Sequence, residues 1–144
     1  MLVRDVLNSK GFGAIYIRHD ATVREALALF VPNNIGSLPV VDARGRLVGI
    51  FTERDVLRRV HEDDANLRYR RLEEVMTPDP ITCTPLEPIQ EVRGKLSRHR
   101  VGQLPVLDGE EVVGIVTVGD LVQATYEEVE AENRHLFDYV CGRT

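Results

Sequence analysis

The sequence predicts an α+β protein made of two pseudo-symmetric copies of one unit, each a small three-stranded sheet with two helices, packed face to face. Three observations predict it. Residues 14–42 align with 80–108 and residues 47–57 with 112–122, and 12 of these 40 positions are identical, where average composition gives roughly two or three. Each copy runs through helical spacing and short β-branched runs in the order strand, helix, strand, strand, helix. The length of 144 residues suits one compact domain or a tight pair of half-domains, and a half-size unit with an open apolar sheet face is best stabilised against its twin.

The elements follow in order. Residues 3–7 resemble 72–76, so a short helical lead-in precedes each copy. Residues 14–17 read as a strand. Thr22-Val23-Arg24-Glu25 has the form of a capping box, and Val23, Ala26, Leu27 and Phe30 continue it at helical spacing to about Asn33-Asn34. Residues 38–41 and 47–51 are apolar runs joined by a Gly-containing turn, a hairpin signal. Thr52-Glu53-Arg54-Asp55 opens a helix to about Val60, and 61–71 is a charged connector. The second copy repeats the pattern, with Pro88 near its first helical turn. From Asp120 onward, Leu121, Val122, Thr125, Val129, Leu136, Phe137 and Val140 sit among acidic residues with no breaker until Gly142, which predicts a long terminal helix whose apolar positions need a partner surface. The resulting division is 1–66, 67–126 and a helical extension 127–144.

Charge and motif content remove several functional classes. Eighteen basic against 23 acidic residues give a net charge of −5, with no general attraction for nucleic acid or anionic lipid. No apolar run approaches a membrane span, and the charged start Arg4-Asp5 is unlike a signal peptide, so the cytoplasm is the expected location. Cys83 and Cys141 stand alone as reduced thiols, with no metal-ligand spacing. The four histidines are scattered and no nucleotide-hydrolase, esterase or zinc-protease motif occurs. No enzymatic activity and no catalytic cofactor are expected.

The recurring pairs Thr52 with Asp55 and Thr117 with Asp120 are the candidate binding residues. A carboxylate that accepts hydrogen bonds from both ribose hydroxyls is a recurrent solution to nucleoside recognition. At a strand-to-helix junction, free N–H groups and the positive helix end can also face phosphate. A Thr-x-x-Asp sequence is equally an N-cap with an acidic first turn, and both roles can coexist.

The segments Ile35-Gly36-Ser37-Leu38-Pro39-Val40-Val41-Asp42 and Val101-Gly102-Gln103-Leu104-Pro105-Val106-Leu107-Asp108, with Gly49-Ile50-Phe51-Thr52 and Gly114-Ile115-Val116-Thr117 after them, resemble the cystathionine β-synthase (CBS) domain. The resemblance covers about residues 3–125, with Val75-Met76-Thr77-Pro78 similar to the family's lead-in. It implies a stand-alone Bateman module: a non-catalytic regulator that binds adenine nucleotides (AMP most of all, ADP, ATP or NAD as alternatives) between its repeats and signals by changing shape. It implies a homodimer and a separate regulated protein. Each pocket would draw on both repeats. The Asp120 pocket would use residues 11–15, Ile35, Gly36, Ser37 and Thr117; the Asp55 pocket would use residues 77–81, Val101, Gly102, Gln103 and Thr52. Ile15, Ile35, Ile81 and Val101 would be adenine walls or core residues. Gly36-Ser37 and Gly102-Gln103 lack the basic residues that some relatives place at phosphate, which leaves Arg54, His99 and Arg100 as the nearby cations. The resemblance places Arg54 beside the phosphates of a nucleotide on Asp120 and the uncharged Gly119 beside one on Asp55, so the two pockets would be unequal. The other reading is a ligand-free dimerisation or interaction scaffold with degenerate pockets.

Overall fold

The computed structural model describes residues 1–11 and 13–142. Phe12, within the expected 11–15 segment, and residues 143 and 144, at the end of the expected extension, lie outside the described residues. The chain runs α1 (Val3–Lys10), β1 (Ile17–Arg18), α2 (Val23–Asn33), β2 (Ser37–Val41), β3 (Leu47–Thr52), α3 (Glu53–His61), a 3₁₀ turn (Leu67–Tyr69), α4 (Leu72–Val75), β4 (Thr77–Pro78), α5 (Ile89–His99), β5 (Gln103–Asp108), β6 (Glu111–Thr117) and α6 (Val118–Val140).

Local sequence accounts for most boundaries. Thr22 and Glu25 form the expected capping box, with Thr22 Oγ1 accepting from Glu25 N at 3.2 Å and Glu25 Oε2 accepting from Thr22 N at 3.0 Å. Asn34 and Arg100 close α2 and α5 in the left-handed region, at φ 52° and 54°. The hairpins β2–β3 and β5–β6 are antiparallel, and the turns Asp42 to Arg46 and Asp108 to Glu111 absorb the one-residue length difference between the copies.

The two sheets are less alike than the sequence predicts. The first has four strands in the order β1-β2-β3-β4, while the second is the β5–β6 hairpin with only an isolated parallel bridge from Cys83 to Val106. Of the residues expected as a strand at 14–17 only Ile17 pairs, and the strand continues to Arg18. The fourth strand is the Thr77-Pro78 segment after α4, held on β3; Pro78 fixes its own φ and keeps Thr77 extended, and the strand stops at Asp79, whose φ is 46°. The corresponding segment after residue 7 has no proline and continues α1 to Lys10. Its Lys10 Nζ donates to the Ile115 carbonyl at 2.9 Å, where a strand would have paired.

Each lead-in helix joins the core of the other copy. Val3 and Val6 of α1 are buried with Cys83, Ile89, Val92, Leu104, Val106, Val116 and Leu121. Leu72 and Val75 of α4 are buried with Val23, Phe30, Leu38, Val40 and Phe51, where the Phe30 and Phe51 rings stack at 5.8 Å. The division at 66/67 therefore cuts the sequence between copies but not between cores, because the lead-ins are exchanged. Strands β2 and β6 touch across the pair, and Arg46 meets Glu110 at 3.3 Å.

The exchange explains the repeated Gly49/Gly114 pair. A Cβ on Gly49 would overlap the Met76 sulfur and stand 2.9 Å from the Thr77 carbonyl oxygen; on Gly114 it would stand 2.7 Å from Leu7 Cδ2. Leu7 can rotate, whereas the Thr77 carbonyl belongs to a paired strand. Gly49→Ala is expected to lower stability by about 1–3 kcal/mol as an overpacking change, and Gly114→Ala by less. Urea midpoints of the two variants test the order, and equal losses would contradict it.

Candidate functional site

Both Thr-x-x-Asp sequences lie where the second strand of a hairpin becomes a helix, and both are reciprocal N-caps. Thr52 Oγ1 accepts from Asp55 N at 3.3 Å while Asp55 Oδ2 accepts from Thr52 N at 2.9 Å; for Thr117 and Asp120 the distances are 3.1 and 2.9 Å. The capping role is therefore present in each copy. What distinguishes the two carboxylates is the rest of their surroundings.

Asp120 opens on a cavity of about 320 Å³ built from both copies. Gly13, Ala14 and Ile15 come from the segment after α1, Ile35, Gly36 and Ser37 from the start of β2, and Gly114, Ile115 and Thr117 from β6. Its chemistry is mixed: half-buried isoleucines form the walls, and a carboxylate and an ammonium stand at one end. Lys10 Nζ lies 2.8 Å from Asp120 Oδ2, with the Asp120 side chain 21% exposed. Oδ2 thus takes two donors, Thr117 N and Lys10 Nζ, while Oδ1 has no protein partner among the described residues. An exposed carboxylate oxygen beside an apolar wall suits a hydroxyl-bearing ligand with a flat apolar group.

Asp55 is enclosed. It is only 3% exposed, Oδ2 also receives the Thr52 hydroxyl at 3.2 Å, and Oδ1 receives the Thr77 hydroxyl at 3.2 Å with the Arg58 guanidinium 3.7 Å away. The adjoining cavity, about 510 Å³, is lined by Thr52, Arg54, Arg58, Thr77, Arg100 and Val101, with Gly36, Gly102 and Gln103 at its edges. Three guanidinium groups against the carboxylates of Glu53 and Asp55 leave it the more cationic cleft, and Gly36 borders both cavities.

The family model for the CBS domain matches residues 3–62 and 72–127. The chain belongs to the CBS domain family. The CBS domain-containing protein CBSX3, mitochondrial, of Arabidopsis thaliana is 30% identical over 97% of this chain and 72% of its own length. Among solved structures, the CBS-domain containing protein ATU1752 from Agrobacterium tumefaciens shares 28% identity with a TM-score of 0.80, over 87% of this chain and 99% of that one. The CBS domain pair of protein MJ0100, in complex with 5-methylthioadenosine and S-adenosyl-L-methionine, shares 32% identity with a TM-score of 0.79, over 89% and 98% of the two chains. Several other curated relatives are much longer, and the chain spans 22–36% of their length. What they share with it is the CBS pair, a unit that is typically regulatory rather than catalytic.

Within this CBS pair the structure sets three of the expected residues relative to the two cavities. Arg54, expected beside a ligand on Asp120, lines the Asp55 cavity instead, because it follows its own helix start to that side of the junction. Ile81, expected as an adenine wall or a core residue, takes the second role and packs on the core of Val3, Ile89 and Leu104. His99 is exposed at the end of α5 and lines neither cavity, while its neighbour Arg100 lines the Asp55 one. Sequence reasoning missed Lys10, the cation at Asp120. It began that pocket at Gly11, one residue late, and the available signal was a lysine closing the lead-in helix where the second copy has Asp79-Pro80. Among the described residues no His/Cys/Asp/Glu cluster could hold a metal and no helix is long and apolar enough to cross a membrane. Burial pushes the Cys83 thiol up to about 12, so it stays protonated at neutral pH.

Proposed function

We propose that this CBS pair is a non-catalytic regulatory module that binds an adenosine-containing ligand in the Asp120 cleft and signals through the change in shape or rigidity that binding imposes. The observation that carries this reading is the partly exposed Asp120 carboxylate at the end of a cleft whose walls come from both copies. Ribose hydroxyls would donate to Oδ1, and the base would lie between Ile15 and Ile35. The MJ0100 pair, whose structure contains methylthioadenosine and S-adenosylmethionine, supports an adenosine-type ligand. AMP, ADP, ATP and NAD belong to the same chemical class. A thermal-shift and calorimetric series over these six ligands tests the proposal: a ligand at 100 times its dissociation constant stabilises the fold by about 2.7 kcal/mol, and no response to any of them would overturn it.

Lys10 gives the cleft a charge preference. Its ammonium attracts a phosphate-bearing ligand and repels the sulfonium of S-adenosylmethionine. Lys10→Met is expected to lower AMP affinity relative to S-adenosylmethionine by about tenfold or more, the value of one charge-assisted hydrogen bond. Parallel calorimetric titrations measure the ratio, and an unchanged ratio would remove Lys10 from ligand selection.

The two clefts are unequal in this reading, with Asp120 the ribose site. The enclosure of Asp55 favours a second role for its cleft: a structural junction in which Thr52, Thr77 and Arg58 already use the carboxylate. The assembly we propose is a homodimer, since α6 leaves an apolar face exposed.

A further inference from the structure

Helix α6 is anchored along its first three turns. Leu121 and Ala124 are buried in the second core, Arg93 Nη1 donates to Thr125 Oγ1 at 3.3 Å, and the amino-terminal group meets Glu128 at 3.0 Å. Beyond that, every residue from 129 to 137 is exposed. An exposed helical stretch of this length is not stabilised by propensity alone.

Five of its exposed large apolar residues follow a single register, with Val118, Phe137 and Tyr139 on the flanks of that stripe. Val122, Tyr126, Val129, Leu136 and Val140 are exposed and recur at alternating spacings of four and three, with Asn133 filling the remaining position. In heptad terms Tyr126, Asn133 and Val140 are a positions, and Val122, Val129 and Leu136 are d positions. The seam starts at the apolar groove between α5 and α6, lined by Val101, Val118 and Val122.

Resting on the homodimer reading above and adding its geometry, we infer that the α6 helices of two copies pair as a parallel, in-register coiled coil from Val122 to Val140. The occupant is a second copy because an a-position Asn is satisfied by the same Asn at the same level of an identical chain, which fixes register and a two-chain state. Charge selects the direction. Parallel pairing sets Thr125 opposite Glu130 and Glu132 opposite Phe137 across the flanks. Full antiparallel overlap would bring Glu130 onto Glu130, Glu132 onto Glu132, and Asn133 onto Val129. Glu130 also accepts the Tyr126 hydroxyl at 3.0 Å, so that polar tip is satisfied at the edge of the seam.

The test is light scattering of the full chain at tens of micromolar, followed by mild oxidation of Leu136→Cys in a Cys141→Ser background. In-register d positions bring the two thiols within disulfide reach, whereas antiparallel overlap separates them by about 15 Å along the axis. The expected result is a dimer that Leu136→Cys locks covalently, while Ala131→Cys, on the outer face, does not form a disulfide. A dimer that Leu136→Cys fails to lock, or that Ala131→Cys locks equally well, overturns the coiled coil and leaves the homodimer standing. A monomeric wild-type chain overturns both.

Discussion

Asp120→Ala is expected to weaken adenosine-ligand binding by roughly ten- to 150-fold, the equivalent of about 1.5–3 kcal/mol for hydrogen bonds to a charged acceptor. The carboxylate has one oxygen engaged by Thr117 N and Lys10 Nζ and one facing the cleft, so the loss falls on the ligand rather than on a closed network. Because Asp120 also caps α6, the alanine variant alone would mix two effects. Asp120→Asn separates them: its amide oxygen can still accept from Thr117 N, but the negative charge is gone. Binding should fall nearly as far as in the alanine variant while the melting temperature drops less. Asp55→Ala should leave this affinity nearly unchanged. Wild-type affinity in both Asp120 variants, with the fold intact, would return Asp120 to a capping role alone.

Leu72→Ala is expected to cost about 2–5 kcal/mol of folding stability, the range for deleting a fully buried leucine, out of the 5–15 kcal/mol typical of a domain. Leu72 opens α4 and is completely buried against Val23, Phe30, Leu38 and Phe51. Its backbone is tied to the same copy, with Leu72 N donating to Ala21 O at 2.8 Å and Glu73 N to His19 O at 3.0 Å. The location of the damage discriminates better than its size. Hydrogen exchange should show lost protection in α2, β2 and β3, although Leu72 belongs by sequence to the second CBS match. Selective loss around α5 and β5 would contradict the exchange of lead-ins.

The sequence by itself determined the repeat, the hairpins, the capping boxes at Thr22, Thr52 and Thr117, the long terminal helix, and the two strand-to-helix carboxylates. These features are written within a few residues: a cap needs its partner three positions on, a hairpin needs two apolar runs and a turn, and a helix needs spacing of three and four. It also brought Ile15, Ile35, Gly36, Thr117 and Asp120 into one expected pocket, through the family resemblance.

Tertiary structure decided the rest. Val3 and Val6 are as apolar as Leu72 and Val75, so nothing local says which lead-in covers which core; that depends on contacts from about 20 to about 120 residues apart in the chain. The same exchange settled the two carboxylates. Thr77, carried in on β4, closes Asp55, while Lys10, at the end of an α1 that no proline interrupts, reaches Asp120 and leaves its other oxygen in the cleft. That Arg54 lines the Asp55 side was not legible in the sequence, because a long side chain on an exposed first turn has more than one direction open to it, and spacing records its position without its aim.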